Sequence, residues 1–266
     1  MDFPQRFKGR TLVVTGAAGN IGLTTALRFA EEGAHVALLD VNEKGLEQAA
    51  SRVGDHGVTV RTYMCDVTDP AVVDSVVGNV VSDFGRIELL FNNAGYQGVF
   101  KPAHEYPQDD FRYVTDINVN GVFNVLKSVG AHMVEKGGGC IVNTASMAGV
   151  EGPPNMVAYA ASKFAVVGIT QVASKDLAPH NIRVNSISPA YMGPGYMWDR
   201  QVNLQAEAGS QYFSSDPKKV AEEMIEAVPM RRVGGINEIP GTVAFLMSED
   251  ASYITGVNIP ISGGIL

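Results

Sequence analysis

Tyr159 and Lys163 stand four residues apart in YAASK, a spacing that lays both side chains on one face of a helix, next to each other. An ammonium beside a phenol favours the phenolate and lowers a pKa that is about 10 in an unperturbed tyrosine. A tyrosine so placed exchanges protons near neutral pH. Ser146, thirteen residues upstream, adds a hydroxyl at the end of an apolar run. Alone, Tyr-x-x-x-Lys is a common helical pattern that does no chemistry. A second group changes its meaning. Gly16, Gly19 and Gly22 in TGAAGNIG lack a Cβ, so a diphosphate can approach the backbone while the next helix turns its unpaired N–H groups toward it. Asp40, 18 residues beyond Gly22, falls at the tip of the following strand, where it meets the adenosine ribose of a dinucleotide. A glycine turn serving only close helix packing is the plainer alternative, and it leaves Asp40 unexplained.

Asp40 also bears on which dinucleotide is bound. A carboxylate suits the two ribose hydroxyls of NAD, whereas an NADP 2′-phosphate within about 4 Å meets roughly 4 kcal/mol of repulsion per pair of unit charges at a surface-like dielectric. Ala17, Ala18, Gly19 and Asn20 supply no cation to offset it, and only Lys44 is near in sequence. NAD is the expected cofactor.

Alternating elements position these residues. Leu12 to Val14 and Val36 to Leu39 are continuous apolar runs, as in parallel strands buried on both faces, and a helix lies between them, ending at Gly33. A helix over 43–53 follows, then a strand alternating from Val58 to Met64, a helix over 70–84 with Asp69 as cap and Pro70 in its first position, and a strand over 87–91. One buried helix is expected from Asp110 to about His132. Asn118 and Asn120 lie in it, and the residues alone assign them no role, since buried amides usually bond neighbouring backbone. Strands over 140–145 and 182–188 flank a helix over 157–177. The stretch 190–215 has no clear period, and with Trp198 in it reads as a substrate lid or binding loop, or as apolar packing on the body. Helices over 217–228 and 238–247 and a strand over 257–261 complete the chain. Repeated strand and helix units give an α/β fold with a doubly wound parallel sheet of about seven strands and helices on both faces. Ligands of such sheets bind at the carboxyl ends of the strands.

In a chain of 266 residues, 45% of them hydrophobic, one large core is expected, so 1–266 reads as a single domain with 1–150 mainly its dinucleotide-binding half. A formal charge of -8 without a basic cluster argues against nucleic acid and against an anionic membrane. Cys65 and Cys140 show no metal spacing and read as buried small residues. MDFPQRFKGR lacks a signal-peptide core and no run approaches spanning length, so a cytoplasmic protein is expected.

Taken together, TGAAGNIG, Asp66-Val67, NNAG at 92–95, NVNG at 118–121, Ser146, YAASK and RVNSISP at 183–189 resemble the short-chain dehydrogenase/reductase family, in the family's order and over nearly the whole chain. A narrower similarity, to the family's NAD-dependent xylitol dehydrogenases, rests on FNNAGYQG, NTASMAGV, GPPNM, YMGPGYMW and GSQYF. The resemblance implies a Rossmann-type sheet and a set of roles. Tyr159 is the acid/base, Ser146 bonds the reacting oxygen, Lys163 holds the nicotinamide ribose and depresses the tyrosine pKa, and Asn118 orders a water relay to Lys163. Asp66 and Val67 flank adenine, Asn93, Ala94 and Gly95 line the adenosine ribose side, and Ile21 with Pro189 to Met192 lies against diphosphate and nicotinamide. A homotetramer is implied as well. Two residues depart from the family pattern. Asn20 replaces a glycine, tolerable because Asn enters left-handed conformations with relative ease, and Ala190 replaces the glycine after Pro189.

The expected reaction is reversible hydride transfer between NAD and a secondary alcohol or ketone, without a metal. Gln97, Asn155 and Ser146 offer polar contacts to a polyol such as xylitol, oxidised to the ketose D-xylulose, with Met147, Met192 and Trp198 as walls. The same methionines and Trp198 also suit a flat ketone, which keeps a ketoacyl or hydroxysteroid reductase as the enzymatic alternative. A dinucleotide-binding regulator is the non-enzymatic one.

Overall fold

Each strand of the sheet is buried because its two faces meet different helical layers, and β1 (Thr11–Thr15) shows how. Leu12 and Val14 pack with Phe29, Val36 and Leu38 in one apolar cluster, while Val13 between them packs with Ala37 and Leu39 in the other. The computed structural model describes residues 5–265, so Met1 to Pro4 of the N-terminal segment and Leu266 lie outside the described residues.

α1 (Asn20–Glu31), β2 (His35–Asp40), α2 (Glu43–Gly54), β3 (Val60–Met64), α3 (Pro70–Phe84) and β4 (Leu89–Asn92) follow in turn. Asn42 caps α2 by accepting from the Gly45 N–H at 3.0 Å, and Asp69 caps α3 by accepting from Ala71 and Val72. After a loop come α4 (Gln108–Thr115), a π turn at Asp116–Gly121 and α5 (Val122–Lys136), then β5 (Gly139–Thr144), α6 (Val157–Leu177) and β6 (Ile182–Pro189). α7 (Tyr196–Glu207), α8 (Pro217–Ala227), α9 (Ile239–Met247) and β7 (Asn258–Ile261) end the fold. The seven strands are parallel and ordered β3-β2-β1-β4-β5-β6-β7. The chain leaves β3 at one edge and returns at β4 beside β1. The two halves wind away from each other there, which opens a crevice at the carboxyl ends of β1 and β4.

The structure corrects four expectations. The helix expected from Asp110 to about His132 runs on through α4, the π turn and α5, and the extra residue of that turn changes the face presented on either side. The stretch 190–215 contains α7, whose apolar stripe of Trp198, Val202 and Ala206 packs on Val220 and Met224 of α8. β4 begins at Leu89, and the Ile87 N–H bonds His132 Nε2 at 3.2 Å. Val157–His180, with mean hydropathy 1.2, does reach spanning length. Its Ser162, Lys163, Val166 and Thr170 are buried in the domain, as in a core helix.

Candidate active site

The crevice holds a cleft of about 820 Å³ that runs from Asp40 and Asp66 past Asn93 to Gly95, then Ser146, Tyr159 and Lys163, to Met192 and Met197. Its floor is the glycine loop. Gly16 has φ +64°, and a Cβ there would stand 3.0 Å from the Ala94 Cα, while one on Gly22 would come within 2.3 Å of the Gly16 carbonyl oxygen. α1 starts after Gly19 without a side-chain cap, so its first N–H groups stay available to an anion. Asn20 is the first residue of this helix and has no positive φ, so the left-handed tolerance invoked for it is not what admits it.

Asp40 is tied to this loop. Its Oδ2 accepts from the Ala18 N–H at 2.9 Å and its Oδ1 from the Asn42 N–H at 3.0 Å, which fixes the carboxylate at one end of the cleft. Asp66 is held likewise by the Thr68 N–H and hydroxyl, at 2.9 and 2.7 Å. A residue that carried no expectation, Thr15, joins the two halves. Its hydroxyl accepts from the Asn93 and Ala94 N–H groups at 2.8 and 3.0 Å and lies 3.3 Å from Asn92 Oδ1. Buried hydroxyls at strand tips are the signal that marks such residues. The cradle left by the missing Cβ atoms, the uncapped helix and the placed carboxylate fit NAD.

At the other end, Tyr159 lies in the first turn of α6 and Lys163 one turn later. Lys163 is 3% exposed, donates from Nζ to the Thr144 carbonyl at 2.8 Å, and lies 5.5 Å from the Tyr159 ring centroid. Ser146 leads the short turn Met147–Gly149, accepts from the Ala148 N–H at 3.2 Å, donates to the Pro189 carbonyl at 3.4 Å and stands beside the Tyr159 hydroxyl. Gly149 lets that turn reach α6, since a Cβ would sit 2.5 Å from the Lys163 backbone. Asn118, in the π turn, donates from Nδ2 to the Tyr96 carbonyl at 2.8 Å and to Ser162 Oγ at 2.9 Å, and accepts from the Tyr96 N–H at 2.8 Å. Ser162 passes the contact to the Tyr159 carbonyl at 2.7 Å.

Burial reverses one expectation of charge. The Tyr159 phenol is pushed up, because desolvation outweighs the Ser146 hydrogen bond, and Lys163 is pushed down to about 8 by its own burial. Burial thus favours the neutral phenol, and proximity to Lys163 does not by itself make it a phenolate.

Of the expected substrate residues, Gln97, Ser146, Met147, Tyr159 and Met192 line the cleft, and Asn155 and Trp198 do not. Asn155 is buried and donates to Gln205 Oε1 at 2.8 Å and Ser210 Oγ at 2.9 Å. Trp198 packs edge-on to Tyr191, ring centroids 6.0 Å apart. Both help hold α7 in place, Asn155 through Gln205 and Trp198 through Tyr191. Gly22 and Asn118 also lie behind the surface, and Gln201, Gln205 and Glu151 join the lining without having been singled out by type.

Comparison with known proteins agrees with this geometry. A family model described as enoyl-(acyl carrier protein) reductase matches residues 16–266. The crystal structure of an NAD+-bound xylitol dehydrogenase superposes with a TM-score of 0.97 at 61% identity, covering 97% of this chain and 100% of that one. Levodione reductase of Leifsonia aquatica is 39% identical over 261 residues, 97% of this chain and 95% of its own. D-threitol dehydrogenase of Mycolicibacterium smegmatis is 35% identical over 264 residues, 99% of this chain and 95% of its own.

Proposed function

The chain belongs to the short-chain dehydrogenase/reductase family, and we propose that it is an NAD-dependent dehydrogenase of neutral polyols, taking a secondary hydroxyl of xylitol or a close pentitol to the ketose. The observation that carries this reading is the Ser146, Tyr159 and Lys163 cluster at the inner end of the dinucleotide cleft, with the Gln97 carboxamide in the same wall. The cofactor supplies the hydride acceptor. In oxidation Tyr159, once its own proton has left along the relay through Lys163, takes the hydroxyl proton, and in reduction it returns it, while Ser146 holds the same oxygen. Lys163 provides positive charge next to the phenol and a donor for the nicotinamide ribose. Asn118 fixes the Tyr96 backbone and, across the space Gly95 leaves open, faces Lys163. A Cβ on Gly95 would stand 3.3 Å from Asn118 Oδ1 and 3.5 Å from Lys163 Nζ, which supports a water relay between them.

Gly16, Gly19, Asn20 and Ile21 cradle the diphosphate with Gly22 packed beneath them, Asp40 holds the adenosine ribose, and Asp66 and Val67 the adenine. Asn93, Ala94 and Gly95 line the ribose side, and Pro189 and Met192 the nicotinamide. Residues 190–215 cover the substrate. The protein acts in the cytoplasm as a homotetramer. Exposed Phe123 on α5 and exposed Phe164 and Val172 on α6 support an interface between copies.

Following NADH absorbance with xylitol, other pentitols, hexitols, a steroid alcohol and a monocyclic ketone tests this function. Turnover of pentitols above all others is expected. Preference for the steroid or the ketone would replace the polyol reading, and cofactor binding without any turnover would make the protein a regulator.

A further inference from the structure

Gln97 has its orientation set by the chemistry of its neighbour. The residue is 8% exposed, and its Oε1 accepts from Arg200 Nη1 at 3.3 Å. A guanidinium only donates, so the amide oxygen must face Arg200 and the NH2 group must face away. Nε2 has no hydrogen-bond partner among the described residues. Sealed, unbonded side-chain polar atoms among them are confined to Thr25 Oγ1, so Nε2 is not sealed, and Gln97 lines the cleft.

The loop beneath is anchored on both flanks. Asn118 takes the Tyr96 N–H and carbonyl at 2.8 Å each, and Asp110 Oδ2 accepts from the Val99 N–H at 3.0 Å. Gly98 has φ +72°, and a Cβ there would meet the Tyr106 hydroxyl at 2.5 Å. Arg200 Nη2 donates to the Gly98 carbonyl at 2.9 Å, and its guanidinium carbon lies 5.5 Å from the Tyr96 ring centroid. Arg200 itself does not line the cleft, so its contact with a ligand there runs through Gln97.

We propose that Arg200 is a specificity-determining positioning residue. It holds the Gln97 NH2 toward the cleft as a donor for a second substrate oxygen, separate from the one bound by Ser146 and Tyr159, so that neutral polyhydroxylated substrates are selected. Since Arg200 belongs to α7 and Gln97 to the loop after β4, seating of the cover and presentation of the donor are one event. The inference rests on the polyol reading above.

A double-mutant cycle on xylitol oxidation tests it, with Arg200→Met, Gln97→Leu and the pair, alongside NADH affinity and thermal melts. Each single change should lower kcat/KM about 10- to 100-fold, mainly through KM, as for loss of a buried hydrogen bond. The double variant should be no worse than Gln97→Leu alone, and Arg200→Lys should recover part of the loss. Gln97→Leu, which leaves α7 intact, carries the test of the donor if Arg200→Met melts. Additive losses, or an unchanged KM in Arg200→Met, would overturn the role of Arg200 while leaving polyol turnover of the wild type standing. A wild-type protein without polyol turnover would overturn the polyol reading and this inference together.

Discussion

The cleft is held from two sides that are built differently. The glycine loop is fixed by backbone, since φ at Gly16, the contact of Gly22 with the Gly16 carbonyl and the Ala18 N–H on Asp40 leave no side chain free to adjust. The cover is fixed by side chains. α7 is held through Arg200 to the Tyr96–Gly98 segment, Trp198 to Tyr191, and Gln205 to Asn155. A backbone-built surface binds one shape of ligand and tolerates little change, whereas a surface made of side-chain contacts can be retuned one residue at a time. On the proposed function, cofactor binding falls to the first and choice of substrate to the second.

The two sides should respond to substitution in separable ways. Tyr159→Phe removes the proposed proton-transfer group, on which both converge, and should lower kcat about 1,000-fold, with NADH affinity by fluorescence titration nearly unchanged. Retained turnover would move the chemistry elsewhere in the cleft. Gly22→Ala strikes the backbone-built side. Its Cβ would stand 2.3 Å from the Gly16 oxygen, and NADH affinity should fall at least about tenfold together with a lower Tm, as expected of overpacking against backbone. A variant that binds NADH normally would show the loop to be less rigid than drawn. Trp198→Ala strikes the other side, and the expected result is a rise in polyol KM of several-fold with NADH affinity kept. Equal damage to both constants would erase the distinction between floor and cover.

The smallest effect is one of pH. The folded Lys163 pKa, about 8, lies below the ordinary 10.5. Between those values the unfolded chain holds a proton the folded chain has released, so stability climbs as pH rises through that window. Below pH 8 the full burial cost is present. Lys163→Met removes that cost and should raise the Tm of the ligand-free protein at pH 7 by on the order of 5 °C, the gain shrinking as melts are taken from pH 8 toward pH 10. A gain independent of pH would point to packing instead.

Local spacing made the strands, the glycine loop, Asp40 and the Tyr159–Lys163 pair legible in sequence, because each depends on residues a few positions apart. Four features escaped for physical reasons. The π turn shows only as a break in period, and α7 directs its short stripe at another cover helix and not at the sheet. Asn155 and Trp198 were plausible by type, but type carries no direction. The sign of the Tyr159 shift depends on burial, which spacing does not report. Thr15 and Arg200 belong with them, since their partners lie far away along the chain.

The π turn at Asp116–Gly121 has one more consequence. By widening a single coil of an otherwise continuous rod, it lets the upstream part look at the Tyr96 loop and the downstream part at the sheet, each with its own stripe. Asn118 reaches its three partners only because that coil holds its full count of residues. Excising one of them would restore ordinary winding and swing everything beyond by about 100°. This rod thus acts as a ruler, and substitutions along it should be far easier to accommodate than any change in its length.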